Sequence, residues 1–232
     1  MKISIIIPTY NEEATISQLV SFLQKNAQGA VADIIVVDGG SQDQTLKLAG
    51  VAGAKALLAP QKGRATQMNF GVSQATGNLF YFVHADAIPP ATYVNDILAA
   101  LAEGYAIGCY RFRFDSKKLM LKINSYCTRF DRIMCRGGDQ SLFVTRAVFN
   151  EFKGYRNEYV IMEEYEFIRR VRQKYTFKII PKDVIVSARK YDQNGYLRVN
   201  LANLTVFLLF LADCSPYKLL HIYKRLINHP KY

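Results

Sequence analysis

The hydrophobic and polar positions change period repeatedly along the chain, and each change predicts an element. Ile3 to Pro8 is a β-branched run ending in Pro-Thr-Tyr-Asn, which predicts a buried strand and then a turn. Asn11 is placed to cap a helix with Glu12 and Glu13 in its first turn and Ile16, Leu19, Val20 and Leu23 on its buried face. Asp33 to Asp38 predicts a second buried strand, Gly39-Gly40 a tight turn, and Ser41 with Gln44 a capping box. Ala54 to Leu58 predicts a third strand, leading through Pro60-Gln61-Lys62-Gly63-Arg64 to a helix that ends near Gly77. Leu79 to Val83 reads as a strand buried on both faces, and it stops at His84-Ala-Asp86.

Strand and helix in strict alternation predict right-handed βαβ units and a mostly parallel sheet with helices on both faces. In such sheets the ligand crevice borders the carboxyl ends of the strands, which places Asp86 well for chemistry. The same residue would equally cap the helix that Pro89-Pro90 start and that runs to about Leu101. Residues 1–90 thus read as a nucleotide-binding half. A glycine-rich turn after the first strand and a phosphate loop ending in Gly-Lys-Ser or Gly-Lys-Thr are both missing, which argues against nicotinamide cofactors and kinase-type ATP binding.

Beyond this half the pattern shifts. Ala106 to Phe114 alternates, with Tyr110, Phe112 and Phe114 on one face and Cys109, Arg111 and Arg113 on the other, as in a strand solvated on one side. Lys117 to Arg136 interleaves cations with Leu119, Leu121, Ile123, Phe130 and Ile133, which predicts a helix with a basic face. Gly137-Gly138-Asp139-Gln140 breaks it before a short strand, Ser141 to Thr145. Glu163, Glu164 and Glu166 open a helix whose buried stripe is Ile168, Val171 and Tyr175. Phe177 to Pro181 and Val184 to Ser187 read as short strands, followed by Arg189 and Lys190. The apolar stretch Val199 to Ala212 is shorter than the about 20 residues a spanning helix needs. Ser215-Pro216 caps a last amphipathic helix. Core packing is expected of the first of these helices and interfacial contact of the second.

Composition narrows the picture. With 232 residues and 50% hydrophobic content the chain can bury one sizeable core. Its formal net charge of +11 points to a polyanionic partner. Cys109, Cys127, Cys135 and Cys214 lack metal-ligand spacing and are expected as buried apolar residues in a reducing compartment. No signal peptide is visible, so a cytoplasmic location is expected, with a peripheral place on the inner face of the plasma membrane kept open.

The strand ends and loops together carry Ser-Ile-Ile-Ile-Pro-Thr-Tyr-Asn-Glu (4–12), Val-Val-Asp-Gly-Gly-Ser-Gln-Asp-Gln-Thr (36–45), Lys-Gly-Arg (62–64) leading to Gln67, Asn69 and Gly71, His-Ala-Asp (84–86), Gly-Asp-Gln (138–140) and Met-Glu-Glu (162–164). In that order they resemble the family 2 glycosyltransferases of the GT-A fold. The resemblance implies residues 1–191 as the transferase domain, with 91–191 its acceptor half, and 192–232 as a helical extension. It implies an inverting transfer of a sugar from a nucleotide diphosphate sugar, with uridine the expected base, to an acceptor hydroxyl that is unknown and could be lipid-linked.

By the same likeness Pro8, Thr9, Tyr10 and Glu12 hold the nucleoside. Asp38, with Gly39 and Ser41, contacts the base. Lys62 and Arg64 lie over the phosphates, and Arg189 and Lys190 close over the diphosphate. Charge developing on the leaving group calls for a cation, Mn²⁺ or Mg²⁺, which Asp86 can ligate through oxygen. The family usually shows Asp-x-Asp here; His84 replaces the first acid and is open between ligating the metal, contacting the substrate and packing. Glu164 is the expected general base, although the family usually has Asp there, with Glu163 positioning the acceptor. Asp139 and Gln140 line the acceptor side. A sugar nucleotidyltransferase of the same fold lacks its glycine-rich turn here, and a basic module for nucleic acid shows none of the known sequence patterns, which leaves an anionic membrane surface as the alternative partner.

Overall fold

Ile3, Ile5, Ile6 and Ile7 are fully buried because strand β1 (Ile3–Thr9) has a neighbour on each edge and helices over both faces. The computed structural model describes residues 1–228. β2 (Val31–Asp38), β3 (Lys55–Leu58) and β4 (Leu79–Phe82) extend β1 in parallel. β5 (Ala87–Ile88), β6 (Ile107–Phe114), β7 (Leu142–Thr145) and β8 (Lys178–Val186) complete, among the described residues, an eight-stranded sheet ordered β3-β2-β1-β4-β7-β6-β8-β5. β7 runs antiparallel to β4 and β6, and β5 to β8, while β6 and β8 are parallel. From β1 the chain steps one way to β2 and β3, then returns to lay β4 on β1's other side. A crevice therefore opens beyond the carboxyl ends of β1 and β4.

The pleat sends alternate residues to two cores. On one face Ile5, Ile7, Val36 and Tyr81 pack beneath α1 (Ile16–Lys25), α2 (Thr45–Val51) and α4 (Tyr93–Ala102). On the other, Ile6, Phe80, Phe82 and Val144 meet α3 (Arg64–Ser73), α6 (Arg146–Glu151) and α7 (Glu163–Val171). α3 comes close enough to β1 that a Cβ on Gly71 would lie 2.6 Å from Ile6 Cγ2. α5 (Leu119–Cys127) and α8 (Arg189–Asn194) flank the crevice. α9 (Tyr196–Leu211) and α10 (Pro216–Leu226) form a third cluster through Val199, Ala202, Val206, Phe210, Leu219 and Tyr223. Residues 229–232 of the expected C-terminal extension lie outside the described residues.

Several local expectations are corrected. Asn11 does not cap α1. It sits at φ 54°, a left-handed conformation that Asn tolerates, where its N–H donates to Ser41 Oγ (2.8 Å) and its Oδ1 accepts from Gln42 N (2.9 Å). The loops after β1 and β2 are thereby clamped together, and α1 starts only at Ile16, leaving Glu12 and Glu13 ahead of it. Ser41 is no cap either, because its N–H and hydroxyl both donate to Asp38; α2 starts at Thr45, whose N–H donates to Asp43. Asp86 caps nothing, since α4 begins at Tyr93 behind Thr92. The basic helix ends at Cys127, and Arg136 turns inward, buried, to donate to the carbonyls of Thr128 (2.7 Å) and Phe130 (2.6 Å), which a continuing helix would have consumed. Cys109 is buried in β6 as expected of an apolar residue, but Cys127 is exposed and Cys135 and Cys214 are half-buried. The two strands expected after Phe177 are one, β8, with an irregularity opposite Tyr110/Arg111.

Candidate active site

Gln67 on α3 spans the point where β1 and β2 diverge, its Nε2 donating to the carbonyls of Thr9 and Val37 at 2.8 Å each. The close approach at Gly71 keeps it there. Asp38, buried at the end of β2, accepts from Gly40 N (3.0 Å), Ser41 N (2.8 Å) and Thr9 Oγ1 (3.3 Å). These bonds shape a rigid loop whose Asp38, Gly39 and Ser41 stand behind the cleft and not in its lining. Pro8, Thr9, Tyr10 and Glu12 do line it, in a cleft of about 760 Å³. Lys62 Nζ lies 3.5 Å from the centroid of the Tyr10 ring.

Opposite the strand ends stands the start of α7. Met162 precedes it at φ 65°, a left-handed turn that tips Glu163 and Glu164 into the cleft wall, where the helix dipole favours carboxylates. Their side chains are 2% and 4% exposed. Glu163 Oε1 lies 3.1 Å from Arg64 Nε, and Glu164 Oε1 lies 3.5 Å from His84 Nε2. The other imidazole nitrogen, Nδ1, lies 3.4 Å from Asp139 Oδ1. Burial alone would lower the His84 pKa, but the flanking carboxylates of Asp139 and Glu164 raise it to about 10. Burial would raise Asp139, and the imidazolium overrides it, holding the acid at about 2. Burial pushes Glu163 above the usual carboxylate range against the pull of Arg64. The third acid, Glu166, faces the protein interior, in a fork with Arg170 at 2.6 and 2.8 Å.

β8 brings the last groups. Ser187 N donates to the Asp86 carbonyl (3.3 Å), and Arg189 Nη2 reaches Glu12 Oε1 (3.1 Å) and Asp86 Oδ2 (3.6 Å). Lys190 Nζ donates to Asn203 Oδ1 (3.3 Å) on α9. Lys62, Arg64, Arg189 and Lys190 thus all border the cleft that holds Asp86, an environment suited to a polyanion. Gln140 is not in the lining; it is buried behind it, its Oε1 3.7 Å from Cys109 Sγ.

The partly exposed Asp86 carboxylate offers hard oxygen donors of the kind Mg²⁺ and Mn²⁺ take. His84 fits a metal poorly, because both nitrogens face carboxylates and the imidazolium has no lone pair to give. The residues read from the sequence leave out one whole wall, formed by Asn200, Asn203, Leu204 and Phe207 of α9 with Asn124 of α5. The signal was there: Asn200 and Asn203 interrupt an apolar run at a spacing that puts them on one helix face.

A profile described as Glycosyl transferase family 2 matches residues 4–171. The chain is 23% identical over 232 residues to an undecaprenyl-phosphate 4-deoxy-4-formamido-L-arabinose transferase of Proteus mirabilis, a match covering 95% of this chain and 71% of that one. It is 31% identical over 109 residues to a dolichol-phosphate mannosyltransferase of Pyrococcus furiosus, covering 45% of this chain and 31% of the relative, so it spans less than a third of that enzyme's length. Among solved structures, S. aureus TarS 1-349 in complex with UDP aligns with a TM-score of 0.67 at 19% identity, over 97% of this chain and 70% of that one. Glucosyl-3-phosphoglycerate synthase of Mycobacterium tuberculosis with Mn²⁺, UDP and glucosyl-3-phosphoglycerate aligns at 0.60 and 20% identity, over 88% and 78%. With the sheet order, the cleft at the strand ends and the profile match in agreement, the chain belongs to glycosyl transferase family 2 and has the GT-A fold.

Proposed function

We propose that the chain is an inverting glycosyltransferase that moves a sugar from a nucleoside diphosphate sugar, with uridine as base, to an acceptor hydroxyl. The observation that carries this reading is that Asp86 and Glu164, far apart in sequence, border one cleft ringed by Lys62, Arg64, Arg189 and Lys190. Pro8, Thr9 and Tyr10 take the nucleoside, on a loop that Asp38 stiffens from behind. The lysines and arginines hold the diphosphate and oppose the charge that builds on it as the sugar leaves. Asp86 is the residue to hold a divalent cation, which when bound supplies further charge neutralisation at the leaving group. Glu164, kept in place by the His84 imidazolium, removes the acceptor proton, and Glu163 with Asp139 orients the acceptor. A lipid-linked acceptor is supported by the relatives named for undecaprenyl-phosphate and dolichol-phosphate. Among the described residues no helix is long and apolar enough to cross a membrane.

The test is thermal unfolding with a panel of nucleotides and nucleotide sugars, each with and without Mn²⁺. A ligand held only by the folded chain raises the melting temperature. Stabilisation by a uridine diphosphate that shrinks in Asp86→Ala is the expected result. No shift with any nucleotide would overturn the reading.

A further inference from the structure

α9 is amphipathic twice over. Val199, Ala202, Val206 and Phe210 face the protein interior, yet Leu197, Leu201, Leu204, Leu208 and Leu211 form a second stripe, and these leucines are 47–74% exposed. Steps of four, three, four and three residues keep them on one side of a helix of 16 residues, about 24 Å long at 1.5 Å per residue. α5 joins this helix through a bond from Asn124 Nδ2 to Asn200 Oδ1 (3.0 Å). It adds Met120 and Ile123, and the loop after it Phe130 and Met134, all large apolar side chains left in water. Large apolar side chains gathered on one helix face and on the segment bonded to it mark a surface that meets a partner.

Charge indicates which partner. Lys117, Lys122, Arg129 and Arg132 are exposed on the same segment, and Arg198 on α9. The acids nearby already face cations: Asp192 pairs with Lys118, Asp131 with Arg172 and Asp213 with Arg169. A second copy of a chain of net charge +11 would bring like charge against like, and the positions beside the leucines (Arg198, Asn200, Thr205 and Phe207) carry no acid to match Arg198. Leucines rimmed by lysine and arginine suit a bilayer with anionic headgroups instead. The apolar surface also continues inward, since Leu204 and Met134 are both exposed and part of the cleft lining.

We propose that the leucine face of α9, with the apolar and basic side of α5 and the loop after it, docks on an anionic lipid bilayer and sets the cleft mouth at headgroup level. Docking stands on the surface alone; that it delivers a lipid-borne acceptor rests on the transferase reading above.

The test is sedimentation of the full chain with vesicles of phosphatidylcholine, with and without about a third phosphatidylglycerol. Binding is expected to the anionic vesicles and to weaken with salt. Leu201→Ser with Leu208→Ser, neither residue in the cleft lining, is expected to lower the partition coefficient about 30-fold. Lys122→Ala and Arg132→Ala are each expected to lower it about fivefold, at low salt only. Both sets should keep the wild-type melting temperature and any nucleotide-dependent rise in it. Wild-type binding by the double serine variant would overturn the proposal. So would a concentration-dependent dimer, seen by sedimentation equilibrium without lipid, that the same substitutions dissolve, for the face would then pair with a second copy. Vesicle binding with no nucleotide-dependent stabilisation would retain the docking surface and remove the transferase reading.

Discussion

The two walls of the cleft are built on opposite principles. Where the strand ends meet the start of α7, most polar groups are buried and committed: Gln67 to two carbonyls, Asp38 to its own loop, Glu163 to Arg64, and Glu164 to His84, whose other nitrogen faces the more exposed Asp139. On the α5–α9 side, Asn124 and Asn200 are bonded, while Leu204 and Met134 stand exposed in the lining. The first wall is preorganised, as a site must be if it is to meet developing charge without rearranging. The second presents surface, as a wall facing a greasy or variable partner does.

The contrast can be broken at several points. Arg170→Leu removes the fork on Glu166, a carboxylate 1% exposed, and should cost about 3 kcal/mol or more in denaturant unfolding, because a buried charge loses its main partner. A similar change on the exposed surface of α5, Lys122→Ala, should stay within about 0.5 kcal/mol. Gly71→Ala pushes a methyl against Ile6 and should cost about 1–3 kcal/mol by the same measurement, while also loosening Gln67 and so weakening nucleotide binding.

The effect of pH sharpens the comparison with a smaller signal. His84 is raised from 6.5 to about 10, so the stability it contributes is complete below pH 6.5 and is lost as the pH climbs through about 10. Asp139 works in the opposite sense: held at about 2, it contributes fully above 3.8 and loses its contribution as the pH falls through about 2. His84→Gln should therefore flatten the decline in melting temperature between pH 7 and pH 10. An unchanged slope would mean that the imidazole is not held between the two acids.

How far the sequence could be read follows the same division. β1, β2 and β4 were legible because strands buried on both faces leave unbroken apolar runs, and the motifs at their ends lie within a few residues of them. Asn11 and Ser41 were misread as caps because each looks local in sequence, whereas their partners come from the adjacent loop and from Asp38. Arg136 was misread as surface charge, since its acceptors are carbonyls and carbonyls leave no trace in a sequence. The α9 wall was missed for a different reason. Its Asn200 and Asn203 stand out within an apolar run, but the cleft they serve is gathered from segments spread from Pro8 to Asn228, and only the fold shows that this helix face closes it.

The central claim is that one cleft binds a diphosphate beside Asp86 and removes the acceptor proton at Glu164. The most direct measurement compares uridine diphosphate affinity by calorimetry with donor turnover in the wild type, Asp86→Ala and Glu164→Gln. The account predicts that Asp86→Ala weakens binding about tenfold or more, while Glu164→Gln leaves binding within about twofold and lowers turnover by about 10²–10⁴. Turnover undiminished in Glu164→Gln, or nucleotide binding indifferent to Asp86→Ala, would contradict it.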